Sequence, residues 1–281
     1  MRRAGRLTAA FSGVLAGAIG LVLGGCGATT SRSDTSAIAR VTQAAYVTSQ
    51  GPGFKMDMTV SADVNGEPFS LNTSGAFDEH GRRGAMSETV NGKTVETVMD
   101  LPYAYVEAGG KLIKGKPWAR FNVEAYTQSL GVSDSLNTSS DPTQGIEFLK
   151  AAGQASTVGL ETLRGVPTTH YHVLVDLARL PAVVPAQLRS GAQQRAALLK
   201  RISGQTSLPI DVWIDAGKRV RRYQVQVPLC FQGERTSESV SVELYDYGTQ
   251  SIPAPPPLSE VSDLTSKLDS TVSGALQQLH C

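Results

Sequence analysis

Three sets of residues in this chain have the type and spacing to do chemistry: a cysteine at position 26, a histidine pair at 170 and 172, and two aspartates at 211 and 215. His170 and His172 stand two residues apart, so on a strand both point to one face, a geometry open to a metal ion. No third ligand lies near them in sequence, and the pair reads as solvent-facing. Asp211 and Asp215 fall on the polar side of an alternating segment with Trp213, and no partner for general acid–base work accompanies them. Trp213 on that side points to a covering helix or loop. The chain after residue 26 contains no Gly-x-Ser-x-Gly elbow, His-Glu-x-x-His, Walker loop or Ser-x-x-Lys. The expectation is a protein without enzyme activity, cofactor or metal.

Cys26 is different, because its neighbours define a modification. Leu23-Gly24-Gly25-Cys26 places small residues just before a cysteine and a leucine three before it. This resembles the lipobox of bacterial lipoproteins, where the sulfur is diacylated and the chain is cut so that the cysteine becomes the first residue. Upstream, Arg2, Arg3 and Arg6 form a basic start, and residues 9–23 an apolar run too short to span a bilayer comfortably. Residues 1–25 therefore read as a signal peptide of the general secretory route and 26–33 as a small, polar, lipidated tether. Two acyl chains make such an anchor durable, since one gives only marginal binding. The rest of the chain is expected on the extracytoplasmic face of the cell membrane.

Loss of the signal leaves 23 basic against 25 acidic side chains, so the net charge moves from +1 to −2. That is no electrostatic footprint for nucleic acid. The 256 remaining residues can bury one sizeable core, with no linker dividing them. With Cys26 consumed by lipid, Cys230 and Cys281 remain as an even pair in an oxidising compartment, which points to a disulfide, two unpaired thiols being the alternative. Such a bridge would close a loop of about 50 residues, worth roughly 4 kcal/mol in the chain-entropy view.

The elements follow from periodicity. Asp34 can cap a helix with Ile38, Val41 and Ala45 on one stripe, ending near Gln50-Gly51-Pro52-Gly53. Strict alternation then predicts a strand with Phe54, Met56, Met58, Val60, Ala62 and Val64 on one face. Asn65-Gly66 turns it, and Phe69, Leu71, Thr73, Gly75 and Phe77 return on the same face. Asn91-Gly92 opens another return carrying Val95, Thr97, Met99 and Leu101, so the first half is a meander. Residues 133–140 read as a loop. Asp141-Pro142 introduces a short helix with Ile146, Phe148 and Leu149. Alternation resumes at Thr169, Tyr171, Val173 and Val175, and a second helical interval covers roughly residues 185–202. Further strands carry Ile210, Val212 and Ile214, then Tyr223, Val225 and Val227, then Val240, Val242 and Leu244. The prolines from 253 to 257 end the sheet. Beyond them Val261, Leu264, Leu268, Val272, Leu276 and Leu279 predict an amphipathic helix over 259–281, packed on the domain's own core or docked to a membrane or partner.

Gly165-Val166-Pro167-Thr168-Thr169-His170-Tyr171 running into Asp176, then Leu208-Pro209-Ile210-Asp211-Val212-Trp213-Ile214-Asp215, then Tyr245-Asp246-Tyr247-Gly248, resemble the actinobacterial LppX, LprA, LprF and LprG lipoproteins over most of the mature chain. The resemblance implies an α+β fold over residues 34–258: a strongly curved antiparallel sheet, open like a half-barrel, covered by helices and similar to the LolA and LolB carriers. It implies a long-chain lipid or lipoglycan held between sheet and helices and moved across the envelope, with no catalytic residues. The helix after Pro257 and the Cys230/Cys281 pair depart from that pattern. The expected ligand-facing residues are Met56, Met58, Val60, Leu71, Met99, Val173, Val175, Val212, Ile214, Val225, Val242 and Leu244, a face poor in large aromatics and supplied with flexible methionines. Expected partners are the membrane through the lipid anchor, a lipid or glycolipid, and an envelope transporter. The same residues would also suit a dry core, and then the protein is an envelope sensor or a transporter's accessory subunit.

Overall fold

A computed structural model describes residues 34–64, 67–78, 82–90, 93–107, 113–123, 125, 143–186, 189–231 and 234–266. Cys26, Cys281, the Cys230 side chain, the 133–140 loop and the helix positions from 268 onward lie outside these residues. No helix of the described residues is long and apolar enough to cross a membrane.

Helix α1 (Thr35–Ser49) starts where the Asp34 carboxylate accepts the Ser36 N–H at 2.8 Å and the Ser36 hydroxyl at 2.9 Å. Ala37, Val41, Ala44, Ala45 and Thr48 recur at three or four residues and form its buried stripe. The chain leaves it through Gly51-Pro52-Gly53. A Cβ on Gly53 would stand 2.3 Å from the Phe77 carbonyl oxygen, so only glycine lets the backbone pass there.

Twelve strands form one unclosed, curved sheet: β1 (Phe54–Val64), β2 (Glu67–Phe77), β3 (Arg83–Val90), β4 (Lys93–Asp100), β5 (Tyr103–Glu107), β6 (Trp118–Asn122), β7 (Ala152–Leu163), β8 (Val166–Asp176), β9 (Ser207–Asp215), β10 (Val220–Phe231), β11 (Glu234–Tyr245) and β12 (Val261–Asp263). Their order is β12-β6-β5-β4-β3-β2-β1-β11-β10-β9-β8-β7. All pairs are antiparallel except β12 with β6. Val64 faces Glu67 and Val90 faces Lys93, the two-residue hairpin registers that Asn-Gly pairs favour. Short helices α2 (Thr143–Glu147) and α3 (Leu180–Val183) and the longer α4 (Arg189–Ser203) complete an α+β fold.

Two elements differ from the sequence reading. β7 follows α2 after one 3-10 turn (Phe148–Ala151) and is absent from that reading, because its edge position leaves Val158 and Leu160 57% and 84% exposed and Gly153 and Val158 fall at register shifts, which blurs the alternation. The segment after Pro257 does not enter a helix at 259. Val261–Asp263 instead add a parallel strand to Trp118–Arg120, where the β6 edge offers backbone hydrogen bonds that an extended segment of any side-chain type can use. Asp263 then accepts the Thr265 N–H at 3.0 Å, a cap that moves any helical start to residue 265.

The core lies between α1 and the inner sheet face. Val41, Ala44 and Ala45 meet Val173, Val175 and Val212, all fully buried. At one end Phe54 and Phe77 stack with ring centroids 5.7 Å apart.

Candidate functional site

The inner face is held by α1 at both ends of that helix. The Asp34 N–H donates to the Ala155 carbonyl on edge strand β7 at 2.9 Å, and the Thr48 hydroxyl accepts the buried Val220 N–H on β10 at 2.9 Å. The described helices pack chiefly on β7 to β10. On the inner face Met56, Met99, Val173, Val175, Val212, Ile214, Val242 and Leu244 are at most 6% exposed and belong to one continuous cluster. The other four expected ligand-facing residues, Met58, Val60, Leu71 and Val225, lie farther along their strands, toward the β1–β2 and β10–β11 turns, and are only half-buried. Register keeps them on one face: Val60 sits opposite Leu71 on β2 and Val240 on β11, and Val240 opposite Val225. The inner face is thus sealed over β8 and β9 and less covered toward the β1–β2 and β10–β11 turns.

That second region carries three polar groups absent from the sequence reading of the site. Thr73 is 3% exposed and its hydroxyl has no partner. Glu88 stands directly opposite it on β3, and Glu238 stands opposite Ala62 and Val227. Among the described residues neither glutamate has a hydrogen-bonded or ion-paired partner, and burial pushes both carboxyls above the usual range. Glu238 was within reach of pattern reading, since stepping back two residues from Val240 lands on it. Glu88 was not, because Met86 and Glu88 share a strand with too few apolar residues to announce itself.

The outer face is a polar ladder. His170 contacts Glu161 at 3.0 Å through Nδ1 and Asp211 at 2.9 Å through Nε2, and Asp211 also meets His172 Nδ1 at 3.1 Å. The two histidines share a face and one carboxylate oxygen, and among the described residues no three His, Cys, Asp or Glu side chains are arranged so that they could hold a metal ion. Trp213 is 5% exposed, covered by the His170 ring stacked at 4.1 Å and by Arg222 at 5.2 Å, rather than by a helix or loop. Arg222 and Arg164 both donate to Glu243; burial opposes that charge, but the two guanidinium groups outweigh it and hold the carboxyl below its ordinary pKa. Arg164 also pairs with Asp57, tying the β7–β8 turn to β1 and β11. Asp215 is paired with Arg221 at 2.7 Å. A separate concavity of about 510 Å³ lies where α1 meets β7, β8 and the β9–β10 turn, lined by Arg40, Gln43, Leu160, Tyr171, Ile214 and Lys218 among others.

The chain thus forms an unclosed, almost wholly antiparallel sheet whose inner face is partly sealed by helices and whose outer face is polar. The structure has the fold of the lipoprotein LppX of Mycobacterium tuberculosis, with a TM-score of 0.50 at 12% identity over 78% of this chain and 98% of that one. In sequence the chain is 27% identical over 261 residues to an uncharacterised 31.2 kDa protein encoded between rplA and rplJ in Streptomyces griseus, covering 84% of this chain and 82% of that one. It is 24% identical over 236 residues to a candidate lipoprotein of Streptomyces coelicolor, covering 75% and 70%. No family model matches the chain.

Proposed function

We propose that the protein is a membrane-anchored lipoprotein that holds a long-chain lipid or glycolipid against the open part of its inner face and carries it across the cell envelope without changing it chemically. One observation carries the reading: Met58, Val60, Leu71 and Val225 form an apolar strip that is half-buried where the adjoining inner-face residues are sealed. Each methylene laid on such a strip contributes about 0.8 kcal/mol, so an acyl chain needs no charged anchor to be retained. Cys26 supplies the membrane tether on the extracytoplasmic side, an envelope transporter is the partner that would load or unload the cargo, and Cys230 paired with Cys281 fastens the C-terminal segment to β10. Non-reducing peptide mapping tests that pairing.

Mass spectrometry of organic extracts from natively expressed mature protein is the direct test. Val60→Trp and Val225→Trp are expected to lower the recovered lipid with little loss of stability, whereas Val212→Trp, in the sealed part, is expected to cost about 1–3 kcal/mol or more. If all three variants lose stability on that scale and the parent carries no lipid, the strip is ordinary core and the protein acts by binding another protein.

A further inference from the structure

A threonine hydroxyl brings one donor and two acceptor sites, and a buried one is normally satisfied. Thr73 is 3% exposed with its hydroxyl unpaired, so the fold carries a cost that nothing in the described residues offsets. Its register partner Glu88 lies on the same inner face, at the roughly 5 Å spacing of directly opposed strand residues. Around this pair the face is apolar: Met58 lies opposite Thr73 on β1, Val95 opposite Glu88 on β4, and Leu71 and Met86 follow along β2 and β3. A buried unpaired hydroxyl beside a half-buried carboxyl with no described partner, in an apolar strip, is costly as core and useful as a recognition point. A hydroxyl laid between them can donate to the Glu88 carboxyl and accept from the Thr73 hydroxyl.

We infer that Thr73 and Glu88 form a polar subsite that receives a hydroxyl of the bound lipid, so that the protein selects hydroxyl-bearing long-chain lipids over equally long chains that lack one. The inference rests on the inner strip being the lipid site. A site that hydrogen-bonds a ligand hydroxyl discriminates against the analogue without it, because its own buried groups are then left unpaired.

The test is competition by oleyl alcohol and by its methyl ether against a fluorescent long-chain probe on delipidated mature protein, together with urea denaturation. The unmodified protein is expected to prefer the alcohol about tenfold. Thr73→Val and Glu88→Leu should reduce the preference to about twofold or less, Glu88→Gln should keep most of it, and Thr73→Val should leave stability unchanged or raised. Loss of stability in Thr73→Val would mean that the hydroxyl serves the fold, and an unchanged preference in Thr73→Val and Glu88→Leu would mean that a water satisfies the pair; either overturns the subsite. Equal binding of alcohol and ether by the unmodified protein overturns the subsite alone, whereas failure to bind either overturns the lipid-carrier reading with it.

Discussion

Replacing Glu238 by Gln should make the protein more stable at neutral pH, and the gain should vanish in acid. Glu238 sits on the inner face opposite Ala62 and Val227, with Val240 two residues on, and no described cation faces it. Burial holds its carboxyl above the value in the unfolded chain, about 4.3 for glutamate. The folded state therefore binds this proton more tightly than the unfolded state, and stability is lost as the pH rises from the unfolded value through the raised folded one. Below that window both states are protonated and variant and parent should be equally stable. Above it the parent carries an unpaired charge that Gln lacks. A buried unpaired polar group costs about 1–3 kcal/mol, and partial solvent access discounts this to about 1 kcal/mol, or roughly 2–4 °C in Tm for a domain of this size. Glu88 is present in both proteins and drops out of the difference. Urea denaturation between about pH 3 and pH 8 reads it directly. A variant that is no more stable than the parent at neutral pH, or whose gain persists undiminished at the acid end, would refute the placement of Glu238 in an apolar, cation-free setting.

Other expectations follow from close contacts and from the anchor. Gly84→Ala would bring a Cβ to 2.6 Å from the Phe77 ring, so it should destabilise by about 1–3 kcal/mol in chemical denaturation. Thr48→Val removes the acceptor of the buried Val220 N–H and should cost about 1–3 kcal/mol, whereas Thr48→Ser, which keeps the oxygen, should cost less. Cys26→Ala should block diacylation and leave the protein either unprocessed or released, without changing the fold of residue 34 onward; equal membrane retention of an unlipidated, processed product would remove the basis of the lipoprotein assignment.

Legibility differed with the kind of signal. Strict alternation from Phe54 to Val64, an Asn-Gly turn and an Asp34 cap each have one physical reading, and β1, β2 and α1 stand where those residues place them. Alternation also identifies which residues share the inner face, because register cannot slip by one without turning every apolar side chain outward. It cannot say how far α1 reaches across that face, so the sealed residue Val212 and the half-buried Val225 look alike in sequence. β7 escaped because an exposed edge strand needs no apolar period, and β12 escaped because Val261 and Leu264 fit a helical stripe as well as a strand capturing a free edge. Thr73 was visible as an inward position, but its missing partner is a fact of three-dimensional packing.

The seam between β1 and β11 orders events in time. The described strands between residues 54 and 122 form one consecutive meander and those between 152 and 245 another, and the two pair strand to strand where β1 meets β11, with Arg164 of the β7–β8 turn also bonded to Asp57. The Tyr245–Asp57 hydrogen bond spans 188 residues, so the final closure waits for nearly the whole chain. Loop-closure entropy grows only slowly with length, about 0.6 kcal/mol per doubling, so the long span costs little at equilibrium; its burden is kinetic, because distant pairing is slow. While the chain is being made, all of the first meander emerges before the partner of the long flank of β1, and an unpaired strand flank of that kind is where chains aggregate. Lys55, Asp57, Thr59 and Ser61 on the outer face of β1 keep that waiting strand polar on one side until Tyr245 arrives.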